Sequence, residues 1–274
     1  MKKLLLCFVL LAASVSASAQ TGNDIQDRDT NLLKAALKGW HVRIGAGFNL
    51  GGTSPLPLPR SIRSIDDYNP DLCIALEGAV EKQFEDSPWG MHIGVRFENK
   101  AMETDATVKN YHMEAVNADG SGEIKGAFTG HVKTYVDNRY LTFPILAVYH
   151  FGDRWSVSAG PYLAWMFNGS FTGEAYGKDV LDEAGIRVGT DAYIRDLDPT
   201  GEKTEVTRAT YDFSNNLRKF HWGLQVGGEF KAYKHLSAFV NLQWGLNGIF
   251  PKDFDSVTFS LYPIYATVGF NYLF

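Results

Sequence analysis

The chain has 274 residues and a formal net charge of −5, which argues against a nucleic-acid partner because such a partner requires a basic face. A mean hydropathy of −0.16 argues against a helical membrane protein, whereas 14% aromatic residues and 27 glycines suit the wall of a β-barrel. Once a predicted export signal is removed, Cys73 is the only cysteine left, so no internal disulfide can form.

The first 39 residues predict export and a short leader. Residues 1–19 have the basic, apolar and small-residue regions of a signal peptide, and the apolar run is shorter than the ~20 residues of a spanning helix. The mature chain is then expected to begin at Gln20. Residues 20–39 form an N-terminal periplasmic segment, in which Leu32, Leu33, Ala36 and Leu37 have helical spacing. This segment is read either as a short helix or as an unstructured leader.

From residue 40 to residue 274 the hydrophobic period is two, which predicts β-strands. Each strand reaches the ~9–11 residues that a tilted membrane strand needs. Short and long connections alternate, as in outer-membrane barrels with short periplasmic turns and long extracellular loops. We therefore predict an all-β fold, an eight-stranded antiparallel up-and-down transmembrane β-barrel. The predicted strands are about 40–51, 71–84, 88–101, 138–151, 154–170, 217–231, 235–249 and 259–274.

Each strand has one apolar row and one row of small or polar residues. In the last strand every even position from Tyr262 to Phe274 is apolar or aromatic, whereas Thr267, Gly269 and Asn271 alternate with them. A soluble ligand-binding barrel would point its apolar row inward. Here the polar rows are crowded with Gly, Ser, Asn and Gln, which suits a narrow interior, so we expect the apolar rows to contact lipid. The expected lipid-facing aromatics are Trp89, Trp155, Trp222, Trp244, Phe270, Tyr272 and Phe274.

The interior of an eight-stranded barrel is just filled by side chains, and charges inside it must be paired. If Phe84 pairs with Trp89 across the turn at 85–88, Glu77 lies opposite Arg96 and Glu81 lies opposite His92. We predict a polar network that seals the lumen, with a gated proton or ion path as the alternative. Its expected members are Arg43, Glu77, Glu81, His92, Arg96, Glu98, Gln225 and Glu229.

Motifs for chemistry are absent from the sequence. There is no nucleophile elbow, phosphate loop or zinc-binding helix motif, and Ser156 and Ser158 lie in the wall without an activating motif. We expect no catalytic residue, no metal site and no cofactor, with an outer-membrane enzyme as an alternative that loss of turnover on a single His or Ser substitution would reveal.

The two longest loops, 102–137 and 171–216, each contain turn chemistry between β-prone runs and predict hairpins that extend beyond the bilayer. Function on a rigid scaffold is often carried by such loops. Their aromatic and charged residues are therefore the expected contact surface for an unknown extracellular or secretion-related protein, and a monomer is expected. The contact candidates are Tyr111, His112, Tyr193, Arg195 and Tyr211.

Residues Asn138–Gly169 read NRYLTFPILAVYHFGDRWSVSAGPYLAWMFNG. This stretch resembles the central hairpin of the PorT-like outer-membrane β-barrel family of Bacteroidetes, which are Gram-negative, and Phe220–Glu229 and Thr267–Phe274 resemble its later strands. The resemblance implies an eight-stranded barrel in the cell outer membrane, no catalytic residues, and relatives of which a few assist secretion or attachment. The expected function is a closed structural or interaction barrel, with a small-solute channel and a soluble ligand-binding barrel as alternatives.

Overall fold

A computed structural model describes residues 39–117, 123–196, 201–254, 256 and 259–274, and residues 41–274 form one compact unit. The described part is built from β-strands and one short 3-10 helix, Ser214–Asn216. The strands are β1 Trp40–Pro55, β2 Ile62–Pro70, β3 Cys73–Gln83, β4 Trp89–Asn117, β5 Glu123–Phe151, β6 Trp155–Tyr176, β7 Asp179–Leu181, β8 Arg187–Thr190, β9 Tyr193–Asp196, β10 Lys203–Glu205, β11 Arg208–Asp212, β12 Phe220–Lys231, β13 Leu236–Gly245 and β14 Leu261–Leu273.

Eight long strands close into a ring in the order β1, β3, β4, β5, β6, β12, β13, β14 and back to β1. The closing pair is antiparallel and continuous from Arg43 opposite Leu273 to Pro55 opposite Leu261. This closure satisfies the backbone groups of the first and last barrel strands, which an open sheet would leave unpaired. The predicted eight-stranded antiparallel barrel is confirmed.

The connections at one end of the barrel are short. Phe84 donates its backbone N–H to Trp89 at 3.0 Å across the first turn, and the resulting register pairs Glu77 with Arg96 and Glu81 with His92, as predicted. The turn between β5 and β6 contains Gly152 at φ 62°, a left-handed conformation that strains other residues. Short turns fix the register, so they also fix which side chains meet inside the ring.

At the other end the wall continues far beyond the predicted strand ends. β4 and β5 remain paired to Val116 opposite Glu123, which confirms the hairpin extension predicted for 102–137. β2 joins the outer part of β4, and β9 joins β5. In the loop after β6, β9 and β10 pair as the predicted hairpin, whereas β7 and β8 form a separate two-stranded sheet.

Alternation along the barrel strands separates two faces. The inward row is buried and polar or small, as in β12, where Gln225 is 1% exposed and its neighbour Leu224 is 50% exposed. Gly223 leaves space for the ring of its cross-strand partner Tyr162 on β6, because a Cβ at this position would lie 2.8 Å from that ring. All seven aromatics predicted to face lipid are exposed on the outer surface: Trp89, Trp155, Trp222, Trp244, Phe270, Tyr272 and Phe274.

Above the polar part of the lumen, the interior becomes a hydrophobic core. Its members come from the extended ends of the barrel strands, from β9 and β11 and from the last long loop, and Phe128, Ala175 and Ala209 are fully buried within it. The extension is therefore a packed structure rather than a set of separate loops. Among the described residues, no helix combines the length and apolar character required to cross a bilayer.

Several expectations concern parts of the chain outside the described residues. They are the signal peptide at 1–19, most of the periplasmic segment at 20–39 with its helix, and the hairpin tips at 118–122 and 197–200.

Candidate functional site

The lumen is the site where charged side chains from different strands converge. At the short-turn end, the guanidinium of Arg43 on β1 forms ion pairs with Glu81 on β3 and Glu229 on β12. Glu229 also accepts hydrogen bonds from Ser237 at 2.5 Å and Asn271 at 3.0 Å. β1 and β12 are not neighbours in the ring, so the ion pair between Arg43 and Glu229 crosses the hollow of the barrel.

The middle of the lumen is built around Arg96, which is 2% exposed. Its guanidinium donates to Glu77 at 2.5 and 2.6 Å and to the side-chain oxygen of Gln225 at 3.2 Å. His92 lies 2.9 Å from the other carboxylate oxygen of Glu77 and 3.9 Å from Glu81. His92 therefore links the middle contacts to those at the short-turn end.

The upper part of the lumen contains Glu98, which is fully buried. Its carboxylate accepts hydrogen bonds from Thr142 at 2.7 Å and Asn49 at 3.2 Å, and it lies 3.1 Å from the ammonium of Lys100. Lys100 also donates to Gln243 at 2.7 Å. Three tyrosine rings surround this ammonium at 5.2 to 5.8 Å from ring centroid to nitrogen, an arrangement that favours a cation. The rings belong to Tyr140, Tyr162 and Tyr265.

All eight residues expected in the lumen network lie in this constellation, and sequence reasoning missed several more. Lys100 lies on the inward row of β4 two residues after Glu98, so the parity of that strand could have identified it. Its partner Gln243 belongs to β13, on the far side of the ring, and no local pattern links the two. The other missed members are Asn49, Thr142 and Thr267.

This arrangement leaves little open space. A cavity of about 30 Å³ lies among Glu77, His92, Gln225 and their neighbours, which is room for only a few water molecules. A vestibule of about 460 Å³ lies at the short-turn end, between His41, Arg43 and His235. Because positive and negative side chains are paired inside the lumen, the network can fill and rigidify it without leaving isolated charges.

A group of aromatic rings covers the lumen at the long-loop end. Phe213 lies 5.2 Å from Phe254 and 5.2 Å from Tyr211, and Phe250 lies 5.0 Å from Phe171, all between ring centroids. We call Phe171, Tyr211, Phe213, Phe250 and Phe254 the aromatic cap.

The structure corrects two of the five contact candidates. Tyr211 is not exposed, because it belongs to the aromatic cap, and its hydroxyl lies 2.7 Å from that of Thr134. Burial raises the pKa of this phenol. Tyr111 is also largely covered, since its ring packs on the core and on Phe259 at 5.7 Å. Both rings lie on the inward row of the extended strands. The loop sequence alone does not show which row faces inward there.

The other three contact candidates remain on the surface. His112 and Arg195 are exposed, and Tyr193 is half-buried with the ammonium of Lys203 4.6 Å from its ring centroid. They do not form one cluster with Tyr111 and Tyr211, because those two residues face the core.

A closed eight-stranded barrel with an apolar exterior and an ion-paired interior defines an integral membrane β-barrel protein. Residues 19–251 match the family described as the outer membrane protein beta-barrel domain, and the chain belongs to that family. The protein is therefore an integral β-barrel of the outer membrane, in contact with its lipid. This location excludes the alternative of a soluble ligand-binding barrel.

The chain is similar to several solved structures. The attachment invasion locus protein Ail of Yersinia pestis, solved with the heparin analogue sucrose octasulfate, is 11% identical, with 86% of this chain and 97% of that chain covered and a TM-score of 0.28. Neisserial surface protein A is 10% identical, with 86% and 98% covered and a TM-score of 0.27. No curated protein matches the chain.

Proposed function

We propose that the protein is a monomeric, non-enzymatic barrel with a closed lumen that presents a rigid extracellular surface for attachment or secretion-related contacts. The proposal rests on one observation: the interior is filled with side chains both in the membrane-spanning part and in the part above it. The lumen network occupies the membrane-spanning part, and the hydrophobic core with its aromatic cap occupies the part above. A filled interior favours a role for the outer surface over transport through the barrel.

The hairpin of β7 and β8 is the part of the extension best suited to contact a partner. Its bulky aliphatic side chains point into solvent, although such groups are normally buried. Asp182 accepts backbone hydrogen bonds from Ala184 at 2.9 Å and Ile186 at 2.8 Å, which holds the turn in shape. The exposed aliphatic residues are Val180, Leu181, Ile186 and Val188.

The test replaces Leu181, Ile186 and Val188 together by serine and measures adhesion of whole cells to surfaces and to extracellular matrix proteins. We expect adhesion to fall while the amount of folded protein in the outer membrane is unchanged. The matched control is Ile65→Ser on β2, an equally exposed aliphatic residue outside the hairpin. Unchanged adhesion and secretion after removal of the whole hairpin would refute this surface role.

The assignment to the PorT-like group belongs to the same proposal. It is supported by the hairpin at Asn138–Gly169, whose two halves form the paired strands β5 and β6. If the assignment holds, deleting the gene reduces the amount of secreted protein, and the wild-type chain restores it. A secretome that does not change on deletion would leave attachment as the remaining role.

A further inference from the structure

Three strands bring metal-ligating side chains together on the outer wall of the extension. Asp66 lies on β2, Asp105 on β4 and His131 on β5, and one potential ligand atom from each lies within 4.8 Å of the other two. The strand register creates this group, because Thr107 pairs with His131 and Asp67 pairs with Asp105. The residues are separated widely in sequence, so no linear motif could have identified them.

The imidazole of His131 is held firmly. It is 7% exposed, and the ring of Tyr176 stacks on it with centroids 5.3 Å apart. Its Nε2 lies 3.3 Å from a carboxylate oxygen of Asp191, and its Nδ1 lies 3.6 Å from Asp66. An Nε2–H that donates to Asp191 leaves the lone pair of Nδ1 directed at the Asp66 side, as in carboxylate–histidine–metal arrangements.

The hydrogen bonds available at this site do not satisfy every acceptor. The hydroxyl of Thr107 lies 2.5 Å from Asp66 and 3.2 Å from Nδ1 of His131, but it has only one proton to donate. Asp105 accepts a hydrogen bond from Tyr176 at 2.6 Å through one oxygen. Its other oxygen is buried and has no hydrogen-bond partner among the described residues. The site therefore has more acceptors than donors.

The charge around the site is also unbalanced. Three carboxylates, those of Asp66, Asp105 and Asp191, surround one imidazole. The ammonium of Lys133 lies 2.5 Å from Glu103 and so is already engaged on that face. The ammonium of Lys178 also interacts with the carboxylate of Asp66 and offsets part of the negative charge. A cation would satisfy the surplus acceptors and balance the charge.

We propose that Asp66, Asp105 and His131 bind one divalent transition-metal ion of the Zn²⁺ class, with Asp191 orienting the imidazole. One nitrogen and two carboxylate oxygens suit Zn²⁺, whereas Ca²⁺ and Mg²⁺ prefer oxygen ligands alone. The ion would join β2 to the hairpin of β4 and β5, and through Asp191 to the base of the β7–β8 hairpin. It would therefore stabilise the extracellular extension rather than the membrane-spanning ring.

The experiment uses tag-free full-length protein, refolded in detergent and stripped with EDTA, and titrates it with Zn²⁺ in a calorimeter. We expect one equivalent to bind, with binding lost in Asp105→Asn and in His131→Gln and retained in the control His112→Gln, an exposed histidine of the same extension. Asp191→Asn, which alters only the orienting group, should weaken binding by about 10–100-fold.

Three results would overturn the proposal: no Zn²⁺ binding to the wild-type chain, equal binding by Asp105→Asn, or tighter binding of Ca²⁺ than of Zn²⁺. Asp105→Asn is nearly isosteric, so it remains informative even if His131→Gln fails to fold. As an independent measurement, Zn²⁺ should raise the temperature at which the extension becomes sensitive to protease in the wild type and leave it unchanged in Asp105→Asn.

Discussion

At the scale of single residues, the buried charges of the lumen stabilise the fold only while each of them keeps its partners. Arg96 is buried with Glu77, Gln225 and the more distant Glu98 at 4.0 Å around its guanidinium. Removing one partner of a buried pair leaves an isolated charge, which costs more than the pair itself contributes. The same reasoning applies to Glu98, whose negative charge is balanced by Lys100.

We predict that Arg96→Ala lowers the free energy of unfolding by about 3–5 kcal/mol, because it leaves the carboxylate of Glu77 buried without its main partner. Urea titration of the barrel reconstituted in lipid vesicles, followed by electrophoretic mobility of unheated samples, measures the change. Arg139→Ala is the control, since its pair with Asp137 is half-exposed at 3.7 Å, and such pairs are worth about 0–1 kcal/mol.

The double variant Glu77→Gln/Arg96→Met removes both charges and should recover part of the lost stability, because no isolated charge then remains. If Arg96→Ala were as stable as the wild type, the lumen would contain enough water to solvate Glu77, and the filled interior would be disproved.

The sequence could predict pairs that a short turn aligns, but not pairs that cross the ring. Glu77 and Arg96 follow directly from the turn at 85–88 and from strict alternation. The contact of Lys100 with Gln243 depends on barrel closure and on side-chain length across the hollow, and neither has a local signature. The His131 site was missed for a related reason, because β2 shifts register against β4 just beside Asp66.

At the scale of elements, the sequence predicted the membrane-spanning strands well and the interior of the extension poorly. The period of two predicts an inward row wherever it occurs, but it does not say whether that row meets water or a core. On β4 the inward row changes from Glu98 and Lys100 to Met102 and Val108 within a few residues. The sequence therefore predicts Tyr111 and Tyr211 as contact residues, although both support the core.

We predict that Tyr211→Ala destabilises the extension by about 3–5 kcal/mol, because it removes a buried ring from the aromatic cap. Tyr211→Phe should lower the stability of the extension by only about 0.5–1.5 kcal/mol. It keeps the ring and loses only the contacts of the hydroxyl, with Thr134 at 2.7 Å and with the backbone carbonyl of Lys133 at 3.2 Å. Hydrogen exchange of the backbone amides of β11 and of the outer part of β6 measures both effects. Intact exchange protection in Tyr211→Ala, with adhesion lost, would instead restore Tyr211 as a contact residue.

The β7–β8 hairpin should be dispensable for folding, because it forms a sheet of its own. We predict that replacing residues 179–190 by a short Gly-Ser linker leaves the unfolding midpoint in urea unchanged within error. His112→Ala, a change at an exposed site elsewhere in the extension, serves as the control for surface substitutions. A large fall in the midpoint would mean that the hairpin is part of the core structure, and its exposed aliphatic residues would then need another explanation.

At the scale of the whole molecule, the conclusions depend on which row of each strand faces lipid, the apolar row or the row of small and polar residues. We predict the labelling of single cysteine variants in lipid vesicles by lipid-soluble thiol reagents. Leu224→Cys and Phe97→Cys should be labelled, because these side chains lie on the outer surface, and Gln225→Cys should not. For the same reason, Leu224→Arg should lower the free energy of unfolding by about 2–4 kcal/mol if residue 224 lies near the bilayer midplane. Labelling of Gln225 in preference to Leu224 would show that the polar row faces lipid.

A closed barrel should not conduct ions. The ion pair between Arg43 and Glu229 and the hydrogen bond from Arg96 to Gln225 cross the hollow. The cavity beside them measures about 30 Å³, and the aromatic cap covers the far end. A hydrated ion would have to break several buried ion pairs and then displace packed rings, so we predict that the wild-type protein gives no steady single-channel steps in planar bilayers. The vestibule at the short-turn end does not alter this expectation, because it ends at Arg43 and Glu81. Steady steps that disappear in Glu77→Ala or Arg96→Ala would instead show that ions pass through the network itself, and the protein would then be a small-solute channel.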